Sequence, residues 1–313
     1  MRIGIDIMGG DFAPQKTIEG TVLSMDEIAS GTEIVLFGYK EKILEELKKH
    51  NVNKDHFEII DCSSVIEMGE NPTKALKSKP RSSLSIGFKY LAEGKIDGFA
   101  SAGNTGAMFV GGYYSVQAVS GVLRPAICTL LPREDGGKTV ILDVGANADC
   151  KPDVLFQFGL LGSIFSQNVC NIQNPKVSLL NVGEEKTKGN KVTQSAYTLM
   201  ENNKQYNFIG NIEGRDIFDS KSDVIVCDGF TGNIVLKEAE AFYKIIKKRN
   251  INDVYFNKFN YENYGGTPIL GLNKTVIIGH GISSAYAIKN MIKFTVEIVN
   301  ANLKDKIENS IIK

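Results

Sequence analysis

Ile96-Asp97-Gly98-Phe99-Ala100-Ser101-Ala102-Gly103-Asn104-Thr105-Gly106-Ala107 joins a short apolar run to a loop of small and polar residues, and the apolar stretch Met108–Val116 follows at once. Ile96–Ala100 reads as a buried strand, the loop as a turn with two glycines, and the sequel as a helix. The same order recurs along the chain. Ile3–Ile7 leads into Met8-Gly9-Gly10-Asp11-Phe12-Ala13-Pro14 and a helix predicted over Gln15–Ala29, with Ile18, Val22, Leu23 and Met25 at near-helical spacing. Thr139–Asp143 leads into Val144–Asp149, and Val177–Asn181 into Val182–Asn190. Asp223–Cys227 leads into Asp228–Asn233, and Thr275–Ile278 into Gly279–Ser284. Glu33–Phe37 and Glu58–Asp61 are further strands, with a charged helix around Glu41–Lys49 between them. Short β-rich runs alternating with helical stretches predict an α/β fold, a mostly parallel sheet covered on both faces. No linker rich in Pro, Gly or Ser breaks the pattern, so a single α/β domain over residues 1–313 is expected.

The chain's 313 residues can bury a large core without disulfides or metals. Hydrophobic residues are 42% and charged residues 23%, the balance of a soluble globular protein. Lys+Arg and Asp+Glu number 36 each, so no global field attracts a polyanion and a nucleic-acid partner is not expected. The five cysteines form no CxxC pair and read as reduced, buried thiols of a cytoplasmic protein. The three histidines form neither HExxH nor a Cys/His set at zinc spacing. Met1-Arg2-Ile3-Gly4-Ile5-Asp6 reads as a first strand and not as a signal peptide, and no apolar run reaches the ~20 residues that span a bilayer.

Ligands of open α/β sheets bind outside the carboxyl ends of the strands, where this sequence places its Gly, Asn and Thr. Gly103 and Gly106 allow close backbone approach, the next helix start would aim N–H groups at an anion, and Asn104 and Thr105 add side-chain donors. Gly229–Asn233 repeats the logic, with Thr231-Gly232 echoing Thr105-Gly106. One such loop alone is an ordinary turn; six of them after strands point to a shared crevice. GxGxxG with a later acid, GxxxxGK[ST] and GxSxG are all absent.

Lys188, in a Gly-flanked loop, could anchor a phosphate or polarise a carbonyl, or be a solvated lysine of a charged run. Asn233, near a helix start, could steady an oxyanion or serve as an N-cap. His280, between glycines, could be a base, a phosphate ligand or structural. Asp6, Asp11, Asp143, Asp149 and Asp228 could hold Mg²⁺, but capping and turn roles rank above a metal. The cysteines have no activating partner in sequence. Many anion-compatible donors without a protein nucleophile suit a reaction in which bound phosphate attacks directly, as in acyl transfer from a thioester.

Taken together, several segments resemble the bacterial phosphate acyltransferase (PlsX) family. They are Met8-Gly9-Gly10-Asp11-x-Ala13-Pro14, Ser101–Ala107, Arg124-Pro125-Ala126, Leu142–Pro152, Leu180–Glu185, Gly210–Asp216, Cys227–Asn233, Tyr264–Gly271 and His280-Gly281. They cover nearly the whole chain in order. The resemblance implies a three-layer α/β/α sandwich akin to phosphotransacetylases and isopropylmalate dehydrogenases. It implies an enzyme that moves a fatty acyl group from acyl-[acyl carrier protein] to inorganic phosphate. The acyl phosphate would pass to the membrane glycerol-3-phosphate acyltransferase for phospholipid synthesis. A homodimer without organic cofactor, peripheral at the membrane, is also implied. Carried onto this chain, Lys188 and Asn233 are the catalytic pair. Gly10, Asp11, Gly103, Asn104, Thr105, Gly106, Asn147, Gly229, Thr231, Gly232, His280 and Ser283 bind phosphate or substrate, and no residue is assigned to a metal.

One region departs from the family pattern: the excursion at about 237–264 is short. Val235, Ala239, Phe242 and Ile246 form an apolar face there, beside Lys244, Lys247, Lys248 and Arg249. This is a basic amphipathic helix for lipid or a core helix whose basic end complements its dipole. Tyr255, Phe256, Phe259 and Tyr261 add an aromatic patch suited to a dimer or lipid interface. The alternatives are a phosphotransacetylase-like enzyme acting on acyl-CoA, a dehydrogenase of the isopropylmalate type and a non-catalytic membrane-surface scaffold.

Overall fold

A computed structural model describes residues 1–311; the last two positions of the expected 1–313 domain lie outside the described residues. In chain order the elements begin with β1 (Arg2–Asp6), α1 (Gln15–Ser24), β2 (Glu33–Gly38), α2 (Lys40–Lys49) and β3 (Phe57–Asp61). Next come α3 (Pro72–Ser78), α4 (Ser83–Ala92), β4 (Gly98–Ser101) and α5 (Thr105–Val116). Then follow β5 (Ala126–Pro132), β6 (Lys138–Leu142), α6 (Pro152–Val169), β7 (Lys176–Leu180), α7 (Lys191–Glu201) and β8 (Asn207–Ile212). The chain continues with β9 (Val224–Val226), α8 (Gly229–Lys248), β10 (Thr267–Leu270), β11 (Thr275–Ile278), α9 (Ala285–Ala301) and α10 (Leu303–Ile311).

These elements group into two compact units. The first comprises Met1–Gln117 with Tyr261–Asn300, and the second Ala118–Asn260 with the residues from Ala301 on. In the first unit the strand order is β3-β2-β1-β4-β11-β10, parallel except for β10 against β11. β1 is buried along most of its length, as a central parallel strand must be, and its sequence is therefore a continuous run and not an alternation. Successive residues of β4 point to opposite faces. A Cβ on Gly98 would meet Thr295 and Val299 of α9, whereas the Phe99 ring stacks edge-on with Phe88 of α4 at 5.2 Å. Hence α9 and α4 cover opposite faces, and this unit is an α/β/α sandwich.

The second unit orders its strands β5-β6-β9-β7-β8, parallel except for β5 against β6. Helix α6 is buried almost all round, with Phe158, Leu161 and Phe165 closed to solvent. Its Gly162 lies against Leu142 of β6 and Val224 of β9. The α/β class with a mostly parallel sheet is thus present in each unit.

Two local readings change. The first helix stops at Ser24 instead of Ala29, because the buried Ser24 hydroxyl turns back to the Thr21 carbonyl and the chain leaves in tight turns onto Ser24. The basic helix runs Gly229–Lys248, so it begins before the excursion expected at about 237–264, and its expected apolar face is divided: Ala239 is buried, Phe242 is 62% exposed. Among the described residues, no helix is long and apolar enough to cross a membrane.

Candidate active site

In the first unit, register aligns Ile5 of β1 with Ala100 of β4 and Ala100 with Ile277 of β11, so the loops after these strands leave one edge together. Asp6 ends β1, wholly buried, and accepts hydrogen bonds from the Ser101 hydroxyl (2.6 Å) and the Met8 N–H (3.0 Å). The Ser101 oxygen in turn accepts from the Gly103 N–H at 2.9 Å. Burial outweighs these donors and raises the Asp6 pKa. Above this carboxyl the backbones crowd: a Cβ on Gly9 would lie 2.7 Å from the Gly103 nitrogen. Gly10, at φ +103°, lets the loop turn so that the Asp11 N–H reaches the Gly281 carbonyl at 2.8 Å.

Asn104 caps α5, its Oδ1 accepting from the Ala107 N–H at 2.9 Å. Its Nδ2 donates to the carbonyls of Glu67, Met68 and Glu70, each at 3.0 Å. The amide expected to face an anion is therefore committed to holding the 67–70 loop. The first-turn N–H groups at Thr105 and Gly106 are left to meet a ligand. The Ser283 hydroxyl is likewise committed, donating to the His280 carbonyl at 2.6 Å. The His280 ring stacks on Tyr261 with centroids 4.8 Å apart.

In the second unit, Leu142 of β6 pairs with Val226 of β9, and Val226 with Leu179 of β7. The loops carrying Asn147, Asn233 and Lys188 therefore leave neighbouring parallel strands at one edge. Asp143 follows β6, buried, and accepts from the N–H groups of Ile127, Gly145, Ala146 and Asn147 and from the Asn147 amide. The other Asn147 amide contact is the Pro125 carbonyl at 2.9 Å, and the Asn147 carbonyl accepts from the Gly229 N–H at 2.7 Å. A Cβ at Gly232 would overlap the Asp143 carbonyl, so only glycine lets α8 start this close to β6. Asp228 caps α8, accepting from the Thr231 N–H at 2.7 Å. Asn233 is accordingly not the cap but stands in the next turn, exposed, with its amide packed toward Gly145.

Lys188 is exposed in the loop after β7, its stem folded over buried Gly183. Asn181 holds the Lys188 carbonyl at 3.2 Å, and Asn211 of β8 ties the Glu185 carbonyl at 3.1 Å. The Asn211 Oδ1 is buried with no partner.

The structure thus brings Gly10, Asp11 and Gly103 together, with Asn104, Thr105 and Gly106 at the adjoining helix start and His280 and Ser283 in the turn next to Gly281. Separately it brings together Asn147, Gly229, Thr231, Gly232 and Asn233. Lys188 is held on the same edge as this second set. Sequence reasoning assigned Ser101, Gly281 and Asn211 no site role of their own and placed Tyr261 only in an aromatic patch, because their contacts join residues that spacing does not bring together. Asp6, Asp143 and Asp228 fill the capping and turn roles ranked first for them. Among the described residues, no group of three or more His, Cys, Asp or Glu is placed to hold a metal ion.

All five thiols are free, and burial raises the pKa of each: Cys62 and Cys150 to about 12, Cys170 to about 11, Cys128 and Cys227 in the same direction. A thiolate nucleophile is disfavoured. What remains is backbone N–H at the start of α5, one amide and one ammonium, suited to holding an anion and a developing oxyanion.

Comparison with known proteins identifies relatives over the whole chain. A family described as "Fatty acid synthesis protein" matches residues 1–306. The chain is 42% identical to the phosphate acyltransferase of Halothermothrix orenii, covering 100% of this chain and 99% of that one. It is 41% identical to the phosphate acyltransferase of Dictyoglomus turgidum, covering 98% and 96%. Among solved structures, a phosphotransacetylase from Streptococcus pyogenes shares the fold with TM-score 0.69 at 19% identity, covering 96% and 94%. The EutD phosphotransacetylase from Staphylococcus aureus does so with TM-score 0.64 at 14% identity, covering 96% and 94%.

Proposed function

The chain belongs to the phosphate acyltransferase family, an acyltransferase passing acyl groups to phosphate, and from that premise we propose that its donor is acyl-[acyl carrier protein]. The product would be a long-chain acyl phosphate for phospholipid synthesis, handed to the membrane enzyme that acylates glycerol 3-phosphate. The observation that supports this reading is the glycine-lined start of α5, where Asn104 takes the Ala107 N–H and leaves those of Thr105 and Gly106 to an anion, with all five thiols buried or half-buried. The attacking oxygen then belongs to phosphate.

Phosphate rests on the N–H groups of Thr105 and Gly106 at the start of α5. Lys188, in the other unit, supplies an ammonium suited to balancing phosphate charge. A phosphate oxygen attacks the thioester carbon; a C–O bond forms, the C–S bond breaks, and the thiolate leaves. With a thiol pKa near ~8.5 the leaving group needs little acid assistance. Asn233 donates to the carbonyl oxygen as it gains charge. No organic cofactor enters this scheme. Phe230, Ile234, Phe242 and Ile245, all exposed on α8, support a homodimer or peripheral membrane contact.

The test is to mix purified protein with acyl-[acyl carrier protein] and phosphate and follow free thiol and acyl phosphate together. Stoichiometric appearance of both is expected, with acyl-CoA slower. Preference for acyl-CoA would reassign the donor, and a trapped acylated side chain would overturn direct attack.

A further inference from the structure

Three helices of the first unit enclose a groove of about 360 Å³. Leu76 of α3, Phe88 of α4 and Val110, Gly111, Tyr114 and Ser115 of α5 line it. Its floor is the buried ring of Phe88, which occupies the space where a Cβ of Gly111 would stand. Tyr114, 72% exposed, stands at the rim.

The groove begins about one turn along α5 from the candidate anion site. Pro72, the first residue of α3, lies where a Cβ of Gly106 would come within 2.5 Å of it. The loop before it is tied to Asn104. We propose that this groove holds the fatty tail of the acyl group; the assignment rests on the acyl-transfer reading above and names the substrate's second anchor.

Length and volume both fit one alkyl chain. Val110 stands five positions beyond Thr105 and Ser115 ten, which is ~7.5 and ~15 Å along a helix. An extended alkyl chain advances ~1.3 Å per carbon, the projection of a single bond. A chain whose first carbon is joined to phosphate at Thr105 passes Val110 near its sixth carbon and Ser115 near its twelfth. With a methylene taking about as much room as water, ~30 Å³, the groove accepts on the order of a dozen of them.

The groove therefore acts as a ruler, and two block variants read it at two marks. In Val110→Trp, transfer of 10- and 16-carbon acyl groups falls at least tenfold while 4-carbon transfer stays within twofold of wild type. In Ser115→Trp, only 16-carbon transfer falls. Alkyl phosphonates give a second readout without turnover. Wild-type affinity rises by up to about fourfold per methylene until the groove is full, and Val110→Trp flattens that rise while leaving inorganic phosphate binding unchanged. Losses that ignore chain length, or unchanged profiles in both variants, overturn the proposal, including the outcome in which the blocks alter only oligomeric mass. A wild-type protein inactive on every thioester but binding dodecyl phosphonate in a Val110→Trp-sensitive way would sink the acyl-transfer reading and keep the groove.

Discussion

Replacing Asn104 tests how the anion-facing start of α5 is built. Its side chain makes one bond to the helix and shares two N–H donors among three carbonyls of the 67–70 loop. Asn104→Ala loses the cap, about 1 kcal/mol. It also loses two donors to carbonyls, about 1 kcal/mol each. The expected destabilisation is about 3 kcal/mol in urea unfolding, with faster proteolysis between residues 65 and 71 and a raised KM for phosphate. Asn104→Asp separates the two roles. The carboxylate keeps the cap and suits the helix dipole, worth ~0.3–1 kcal/mol. It also turns buried lone pairs toward three carbonyl oxygens, so at pH 7 this variant should be no more stable than Asn104→Ala. Burial and the carbonyls raise its folded-state carboxyl pKa. Its stability is then recovered on acidification through that pKa and lost as pH rises through it. The reasoning fails if Asn104→Ala unfolds within ~0.5 kcal/mol of wild type, or if Asn104→Asp exceeds wild type at pH 7, where the cap alone would then matter.

Lys188→Ala and Asn233→Ala should keep the wild-type circular dichroism and melting temperature and lose ~10²–10³-fold in acyl-phosphate formation, the scale of one oxyanion donor. Gly232→Ala should lower the unfolding free energy by ~1–3 kcal/mol, because its Cβ collides with the Asp143 carbonyl; an unchanged melting curve would contradict the close approach of α8 and β6. With its pKa near 11, Cys170 should alkylate with iodoacetamide at pH 8 roughly 200-fold more slowly than a free thiol of pKa ~8.5, and a variant without cysteines should retain transfer. Phe242→Ser with Ile245→Ser should lower the dimer fraction or vesicle flotation while sparing turnover on a soluble short-chain donor, measured by light scattering and flotation.

Apolar runs such as Ile3–Ile7 and Thr275–Ile278 made most parallel strands readable, since a strand buried on both faces writes its burial into every residue. The strands β5, β8 and β10 were not named from sequence. Asn207–Ile212 is half-exposed and interrupted by Gly210 at φ +108°, and β10 is four residues long with a proline. The site was legible as glycine and asparagine after strands, but not in its division of labour. Asn104 and Ser283 look like ligand donors until the carbonyls that occupy them are located, tens of positions away for Asn104 and three for Ser283. The carboxyls of Asp6 and Asp143 look like metal ligands until their donors, Ser101 and the turn of Gly145–Asn147, are seen to consume them.

Helix α8 runs for 20 residues, ~30 Å, without a break. Asn233 rides near one end, and Phe242, Ile245, Lys247 and Lys248 ride toward the other. A rod of hydrogen-bonded turns bends far less readily than a loop. A bilayer or a second subunit gripping the distal residues would therefore have a mechanical handle on the tilt of the amide proposed to meet the reacting carbonyl.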